Sequence, residues 1–170
     1  MNKSEEIIII FFFSLVCICT VGCQAVDSKN EKLEKSTFST IQRRNDLYME
    51  LVDEEISKTS KAIEISMINK TDEEMTFLEE VYMEKYIDKN WYYIANIRET
   101  LESAMVLMPN VPFRWTVPLE IKDSKDTIAI KTYDSSKKID LAKGKYRLVA
   151  EIYDKNAEII LVSVEFFVDE

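Results

Sequence analysis

The sequence predicts an all-β protein, a β-sandwich of about seven strands. Two segments near the C-terminus alternate apolar with polar residues, KYRLVAEIY at 145–153 and EIILVSVEFFV at 158–168. Upstream, short apolar runs of strand length are separated by polar turns. Only two segments, 41–56 and 96–108, show helical spacing. Many short strands with little helix are typical of two packed antiparallel sheets.

The first two strands are predicted at residues 47–52 and 61–69. Residues 41–56 also fit one helical face, but LYMELV suits a strand, and we interpret it as one. The second segment, KAIEISMIN, alternates more clearly. The side chains predicted to turn inward in this second strand are Ile63, Ile65 and Met67.

A hairpin is predicted next, with arms at residues 77–87 and 91–95 and a turn at Asp88-Lys89-Asn90. Trp91 and its tyrosine neighbours could form a platform for carbohydrate or peptide. A half-buried aromatic residue in a sheet is the more common situation. We therefore interpret Trp91 as a structural residue.

Residues 96–108 are harder to assign. Apolar side chains recur there at helical spacing, which predicts either a short helix or an ordered excursion between sheets. The following segment, 109–121, contains all three prolines, which restrict it to an edge strand or a loop. Another short strand is predicted at residues 127–133.

The closing hairpin is the clearest feature of the sequence. A turn at Asp154-Lys155-Asn156 separates its two strands. In each strand four side chains align on one face, and they are Tyr146, Leu148, Ala150 and Ile152 in the first and Val162, Val164, Phe166 and Val168 in the second.

The N-terminal sequence predicts that the protein is exported across the cell membrane. No charged residue occurs between Ile7 and Val26, and all three cysteines, Cys17, Cys19 and Cys23, lie inside this apolar run. The tetrapeptide Thr20-Val21-Gly22-Cys23 resembles the lipobox of bacterial lipoproteins, in which a diacylglyceryl group is attached to the cysteine thiol and the chain is cut just before it. Gly22 supplies the small side chain that the peptidase needs. The resemblance implies lipid attachment at Cys23.

Three regions follow from this interpretation: a lipoprotein signal peptide at 1–22, a lipidated cysteine and flexible linker at 23–45, and a folded domain at 46–170. An uncleaved membrane anchor is the alternative, because twenty uncharged residues are long enough to span a bilayer. Either way we expect the domain at the cell membrane on its extracellular face. Two or more acyl chains would hold it there stably.

Composition excludes several chemistries from the folded part. The chain has no histidine, and no cysteine follows Cys23. A Ser/His/Asp triad, thiol nucleophiles, disulfides and thiolate metal sites are therefore impossible there. A net charge of −9 argues against nucleic acid as a partner. Acidic runs such as Asp53-Glu54-Glu55 are interpreted as turns or solvated faces, and no catalytic residue, metal ligand or cofactor is assigned.

Four segments together resemble bacterial Ig-like domains of Gram-positive envelope lipoproteins. The segments are ISMINKT, EKYIDKNWYYI, LAKGKYRL and VEFFVDE. The resemblance covers roughly residues 47–170 and implies an Ig-like β-sandwich, although residues 98–104 fit it poorly. These motifs specify a fold and no activity.

The resemblance gives the last glycine of the chain a structural role. Gly144 lies two residues before Tyr146, as in a tyrosine corner, where a tyrosine at the start of a late strand bonds back to upstream backbone. A turn with positive φ at Gly144 would explain its retention. Leu148 stands where antibody domains have a cysteine, so packing must replace the inter-sheet disulfide.

The expected function is a non-catalytic binding domain whose partner is an envelope protein, a peptide or a glycan, with membrane lipid contacted through Cys23. An inhibitor or immunity-type lipoprotein that caps an extracellular hydrolase is the alternative, since a small acidic sandwich can block a basic cleft. An enzyme that uses paired carboxylates is a third hypothesis, although the sequence shows no distinctive pair.

Overall fold

A computed structural model describes residues 33–38, 40–41, 43–53, 55–99, 104–120, 128–132 and 138–169. The predicted signal peptide and Cys23 lie outside the described residues. Within them the protein is all-β, as predicted, and no helix occurs. The strands are β1 (Leu47–Leu51), β2 (Ile56–Ser57), β3 (Ala62–Asn69), β4 (Met75–Leu78), β5 (Glu80–Ile87), β6 (Asn90–Glu99), β7 (Ala104–Leu107), β8 (Phe113–Pro118), β9 (Ile128–Thr132), β10 (Gly144–Tyr153) and β11 (Ile159–Asp169).

The strands form two sheets. The smaller has the order β1-β3-β8, and all its neighbours are antiparallel. The larger has the order β2-β11-β10-β5-β6-β9, with β4 paired to β10 and β7 paired to β4. Strand β2 runs parallel to β11, and the other pairs of this sheet are antiparallel. The described residues thus contain more strands than the seven predicted. Three of the strands, β2, β4 and β7, have only two to four residues.

One apolar core lies between the two sheets, with buried side chains contributed by both. The ring centroids of Phe77 in β4 and Phe113 in β8 are 5.0 Å apart in an edge-to-face contact across this interface. Leu148, where a disulfide cysteine stands in antibody domains, is completely buried. Apolar packing therefore joins the sheets at this position.

The first two predicted strands are confirmed as β1 and β3. Their register pairs Leu47 with Asn69 and Leu51 with Ile65. The predicted inward side chains of β3 are all buried, since Ile63, Ile65 and Met67 expose at most 1% of their surface. Alternation along KAIEISMIN therefore identified the core face of this strand.

The predicted hairpin is present, but its first arm is divided. The arm is interrupted at Glu79, which divides it into β4 and β5. Strand β4 pairs with β7, while β5 pairs with β6. Asp88 and Lys89 form the turn with φ of 47° and 65°. Positive φ at both turn residues matches the twist of a two-residue hairpin loop. The second arm, β6, runs four residues beyond the predicted Ala95.

The short helix, one of the two alternatives predicted for residues 96–108, is wrong for the described part of that segment. Strand β6 continues to Glu99, and β7 begins at Ala104, while residues 100–103 lie outside the described residues. Ile97 and Leu107 are buried in the sandwich core. Their burial between sheets overrides the local helix propensity of the intervening residues.

The proline-containing segment forms β8, an edge strand of the smaller sheet, as one of the two alternatives predicted. Pro118 ends the strand, where it pairs with Ala62. The strand predicted at residues 127–133 is confirmed over Ile128–Thr132, while Thr127 and Tyr133 lie outside the described residues.

The closing hairpin is confirmed as β10 and β11, which pair from Gly144 and Val168 to Tyr153 and Ile159. All four predicted inward side chains of β10 are buried. In β11, Val162, Phe166 and Val168 are buried and Val164 packs against the core.

The expectation of a flexible linker up to residue 45 does not hold for residues 34–38. Lys35 forms an antiparallel bridge with Tyr92, in the part of β6 that precedes its pairing with β9. The amide of Ser36 donates to the Trp91 carbonyl at 2.9 Å, and the amide of Tyr93 donates to the Glu34 carbonyl at 2.9 Å. These backbone bonds fix residues 34–38, called here the N-terminal strap, against the larger sheet.

Candidate functional site

The outward surface of the larger sheet carries a cluster of charged and aromatic side chains beside the strap. Tyr146 and Leu148 point into the core, so Arg147 between them projects from the opposite face. The register places Glu84 of β5 opposite Arg147 and Tyr93 of β6 opposite Glu84. These three residues form one cross-strand row, and we call this surface the outer face.

Arg147 and Glu84 form a buried ion pair in this row. Arg147 Nε donates to Glu84 Oε2 at 2.5 Å. The side chains expose only 6% and 1% of their surface, respectively. Charges buried to this degree are stable only when they are paired and hydrogen-bonded.

A second nitrogen of Arg147, Nη2, holds the strap. Arg147 Nη2 lies 3.0 Å from the Phe38 carbonyl and 3.4 Å from Ser36 Oγ. The guanidinium carbon lies 4.4 Å from the centroid of the Trp91 ring. Arg147 therefore binds β5, the strap and an aromatic ring at once, which a guanidinium can do because its donors are arranged in a rigid planar fork.

Aromatic contacts continue on both sides of this row. Phe38 of the strap packs edge-to-face on Tyr82, with ring centroids 5.1 Å apart. The Tyr82 centroid lies 6.4 Å from that of Tyr93. On the other side Trp91 lies opposite Tyr86 in the β5–β6 register, with centroids 4.9 Å apart. Trp91 is half-buried, and the structural role given to it stays a prediction.

A cavity of about 340 Å³ lies between the strap and the outer face. The larger sheet contributes Tyr82, Glu84, Tyr93 and Glu151 to its lining, and the strap contributes all five of its residues. Burial, together with the charges of Glu80 and Glu151, raises the pKa of Tyr82 well above its ordinary value. Three carboxylates, three aromatic rings and one lysine thus line the cavity.

One acceptor at this site is unsatisfied. Glu84 Oε1 is buried and has no hydrogen-bond partner among the described residues. Its sister oxygen, Oε2, accepts from Arg147. An isolated buried carboxylate oxygen is costly, and such groups are rare in folded proteins.

The tyrosine assigned to a corner lies at the start of β10. Tyr146 is 1% exposed, and its hydroxyl donates to the Ala142 carbonyl at 2.6 Å. Burial raises the pKa of the Tyr146 phenol to about 12. Gly144 has a φ of +152°, and a Cβ built on it would lie 3.0 Å from Cε of Lys85. Backbone conformation and limited space thus both disfavour a side chain at residue 144.

A second concavity, a groove of about 840 Å³, lies between β1 and β11. Two of the charged groups on this groove have ion-pair partners within the chain. Arg44 forms a two-pronged bond to Asp46, at 2.9 and 2.7 Å, and Glu165 accepts from Lys145 at 2.6 Å. The outer-face cavity adjoins the buried Arg147–Glu84 pair and is taken as the candidate site.

Among the described residues, no group of three or more acidic, histidine or cysteine side chains could hold a metal ion. The same part of the chain contains no helix that is long and apolar enough to cross a membrane. Cys23, the predicted lipid attachment site, lies outside it.

The sequence did not reveal the importance of Glu84 and Arg147. Glu84 shares a strand face with Tyr82 and Tyr86, and Arg147 follows the corner tyrosine, so alternation alone places both on the outward side. Their burial depends on the strap, which is more than one hundred residues from Arg147 along the chain. No local pattern carries that information.

A comparison with protein families matches residues 43–166 to the model of a family described as bacterial Ig-like domain. No curated protein matches the chain. The matched range covers β1 to β10 and most of β11, while the strap lies just outside it.

Proposed function

Because this chain belongs to the bacterial Ig-like domain family, we propose that it is a non-catalytic interaction domain held on the extracellular face of the cell membrane by a lipid on Cys23. The family match over residues 43–166 is the observation that carries the interaction role. Folds of this kind present sheet faces and loops to partners and do not in themselves specify an activity.

The proposed membrane attachment is supported by the Thr20-Val21-Gly22-Cys23 tetrapeptide and the uncharged run before it. Two or more acyl chains, at about 0.8 kcal/mol per buried methylene, would make binding to the membrane effectively permanent. Cleavage before Cys23 would also remove Cys17 and Cys19.

Attachment is tested by expressing the full chain in a Gram-positive host and separating membranes from medium. We expect the protein in the membrane fraction, with a mature N-terminal residue 23 that mass spectrometry finds acylated. Cys23→Ser should lose the acyl mass and the cut, whereas the matched control Cys19→Ser should behave like the natural sequence. An unmodified Cys23 in a membrane-bound chain would instead establish the uncleaved anchor.

The partner surface is proposed to be the outer face. Tyr86 is 40% exposed and contacts Trp91, so it offers a position for a photocrosslinking amino acid at the edge of this surface. Arg114 in β8 has a side chain that is 66% exposed and lies on the smaller sheet, where it provides the control position.

We expect crosslinks to an envelope protein, peptide or glycan from position 86 and none from position 114. Capture of a hydrolase whose activity falls on binding would favour the inhibitor alternative. Equal capture from both positions, or capture from neither, would contradict partner binding through the outer face.

A further inference from the structure

We propose that the outer edge of strand β11 pairs with the same edge of a second copy of this chain, so that the two larger sheets join into one. This edge is separate from the cavity beside the strap, so such a dimer does not depend on the proposed function. Three properties of the edge support it: the edge lacks a backbone partner, it lacks the features that usually protect such edges, and its exposed apolar side chains match one another under two-fold symmetry.

Most of the outer edge of β11 has no backbone partner among the described residues. Strand β10 pairs with one side of β11 from Ile159 to Val168, whereas β2 pairs with the other side only at Val168 and Asp169. Residues 159–167, called here the open edge, are therefore unpaired on that side within the described part of the chain. Strand β1 lies beside them in the other sheet but pairs with β3. The open edge thus offers backbone N–H and carbonyl groups to an added strand.

There is space for a further strand beside this edge. The groove of about 840 Å³ between β1 and β11 is lined by the middle of the open edge, at residues 162–165. Ile160 and Val164 point toward the core but remain partly exposed, unlike the buried Val162 and Phe166. An added strand would lie about 4.8 Å from β11 and would cover more of these side chains.

The open edge lacks the usual protection against pairing. Proteins commonly protect a long edge strand with charged residues, proline or a bulge. The open edge, IILVSVEFF, contains one charged residue, Glu165, and no proline. Its register with β10 is continuous, without a bulge. By contrast, the edge strand β8 carries Arg114 and Pro118, and β7 has only four residues. A long, regular and mainly apolar edge favours pairing with another strand.

The open edge is also complementary to itself. Two copies related by a two-fold axis through Ser163 would pair antiparallel along the whole open edge, because Ser163 is its midpoint. Phe167 of each copy would then lie opposite Ile159 of the other. These side chains are 65% and 57% exposed, and both lie on the outward side of the sheet. Pairing would therefore cover two large exposed apolar side chains of each chain. Strand β2, which takes up the edge from Val168 onward, would lie just beyond the paired stretch.

Charge does not oppose this register. Each Glu165 would lie opposite Leu161 of the other copy, so the two Glu165 residues would be roughly 13 Å apart along the strands. Exposed charges separated by more than about 10 Å are largely screened at ordinary ionic strength. Glu165 also accepts a hydrogen bond from Lys145 within its own chain, at 2.6 Å. A second copy therefore fits the open edge along its whole length.

The pairing is tested by cysteine crosslinking of the full chain, purified in a nonionic detergent. Ser163→Cys places two thiols opposite each other, at a Cα separation of about 4.5–5.5 Å that a disulfide can bridge. Mild oxidation should then link residue 163 of one copy to residue 163 of the other. Mass spectrometry of proteolytic peptides separates this link from any formed by Cys17, Cys19 or Cys23. The control is Thr116→Cys, at an exposed position of the edge strand β8, which should give no such link.

Two variants locate the interface without changing the core. Phe167→Lys and Ile159→Lys each place a charge at an exposed position, so the fold should tolerate them. Each should weaken self-association by about tenfold or more, measured by sedimentation equilibrium in a density-matched detergent. The matched control is Val111→Lys, which changes a side chain that is 57% exposed between β7 and β8. That variant should associate like the natural sequence.

A chain that is monomeric at every concentration measured, or a dimer that neither lysine variant weakens, would overturn this pairing. Equal crosslinking at positions 163 and 116 would do the same, and so would an extended peptide of another protein bound at position 163 in place of a second copy. A dimer without partner crosslinks from position 86 would support the pairing and contradict the proposed partner surface. Partner crosslinks from a monomeric chain would support the proposed partner surface and contradict the pairing.

Discussion

Arg147 Nε lies 2.5 Å from Oε2 of Glu84, and this ion pair is buried on the face of the sheet that points away from the sandwich core. Outward faces of antiparallel sheets usually contact water. Here the strap and Trp91 cover the pair, and the strap accepts two further hydrogen bonds from Arg147. The pair therefore links the N-terminal segment to the stability of the domain.

Replacing Arg147 by methionine should lower the free energy of unfolding by about 3–5 kcal/mol, because it leaves the carboxylate of Glu84 buried without its partner. Urea denaturation followed by tryptophan fluorescence measures this change. The control is Lys61→Met, which removes the partner of Glu120 in an ion pair whose lysine is 72% exposed. That variant should change stability by less than about 1 kcal/mol. Equal effects from the two variants would contradict the importance of the buried pair.

Replacing Asn69, at the end of β3, should also lower the stability of the fold. It is fully buried, and its Nδ2 donates to the carbonyls of Glu73 and Leu107 at 2.8 and 2.9 Å while its Oδ1 accepts from Thr71. Asn69→Ala should cost about 1–3 kcal/mol because it leaves backbone groups unpaired. Thermal unfolding checks this. Asn156→Ala in the exposed β10–β11 turn is the control, and a comparable loss there would argue against a special role for Asn69.

Gly144→Val should lower stability by about 1–3 kcal/mol. A φ of +152° is strained for any residue with a side chain, and the new Cβ would press on Lys85. Ala142→Val adds bulk to an exposed residue of the same turn and should be nearly neutral. An unfolding midpoint of Gly144→Val that matches the natural chain would remove the assignment of a conformational role to this glycine.

The phenol of Tyr146 predicts a loss of stability at high pH. Its folded pKa is about 12 against an ordinary value of 10.0, chiefly because it is buried. Folding thus favours the protonated form, so its contribution is complete below pH 10 and is lost as the pH rises toward 12. Tyrosinate absorbance and unfolding midpoints measured across this window test the effect. Tyr146→Phe should be less stable at neutral pH by about 1 kcal/mol, through loss of the bond to Ala142, and less dependent on pH above 10. Parallel pH profiles for the two chains would contradict it.

Strand-like alternation predicted the core because burial on one face of a strand repeats every two residues. Ile63, Ile65 and Met67 in β3 could be assigned to the core from their spacing alone, and so could the inward side chains of β10. The same rule places Glu84 and Arg147 on the outward face, which is correct. It then implies that water contacts them, which is wrong because the strap covers them.

At residues 96–108, local sequence preference did not predict the secondary structure. Its residues favour a helix locally, yet Ile97 is completely buried opposite Ile130 in the β6–β9 register. The choice between helix and strand there depends on pairing partners that are distant in sequence, and spacing within the segment cannot reveal them. The candidate cavity has the same origin, since its lining comes from the strap, β5, β6 and β10.

The pairing of Glu34 with Tyr93 also sets a distance. If Cys23 carries the proposed lipid, residues 24–33 lie between it and Glu34, the first of the described residues that bonds to the sheet, and ten residues can span at most about 35 Å. A free chain up to residue 45 could have extended to roughly twice that length. If that lipid is present, a partner that uses the outer face must come close to the bilayer.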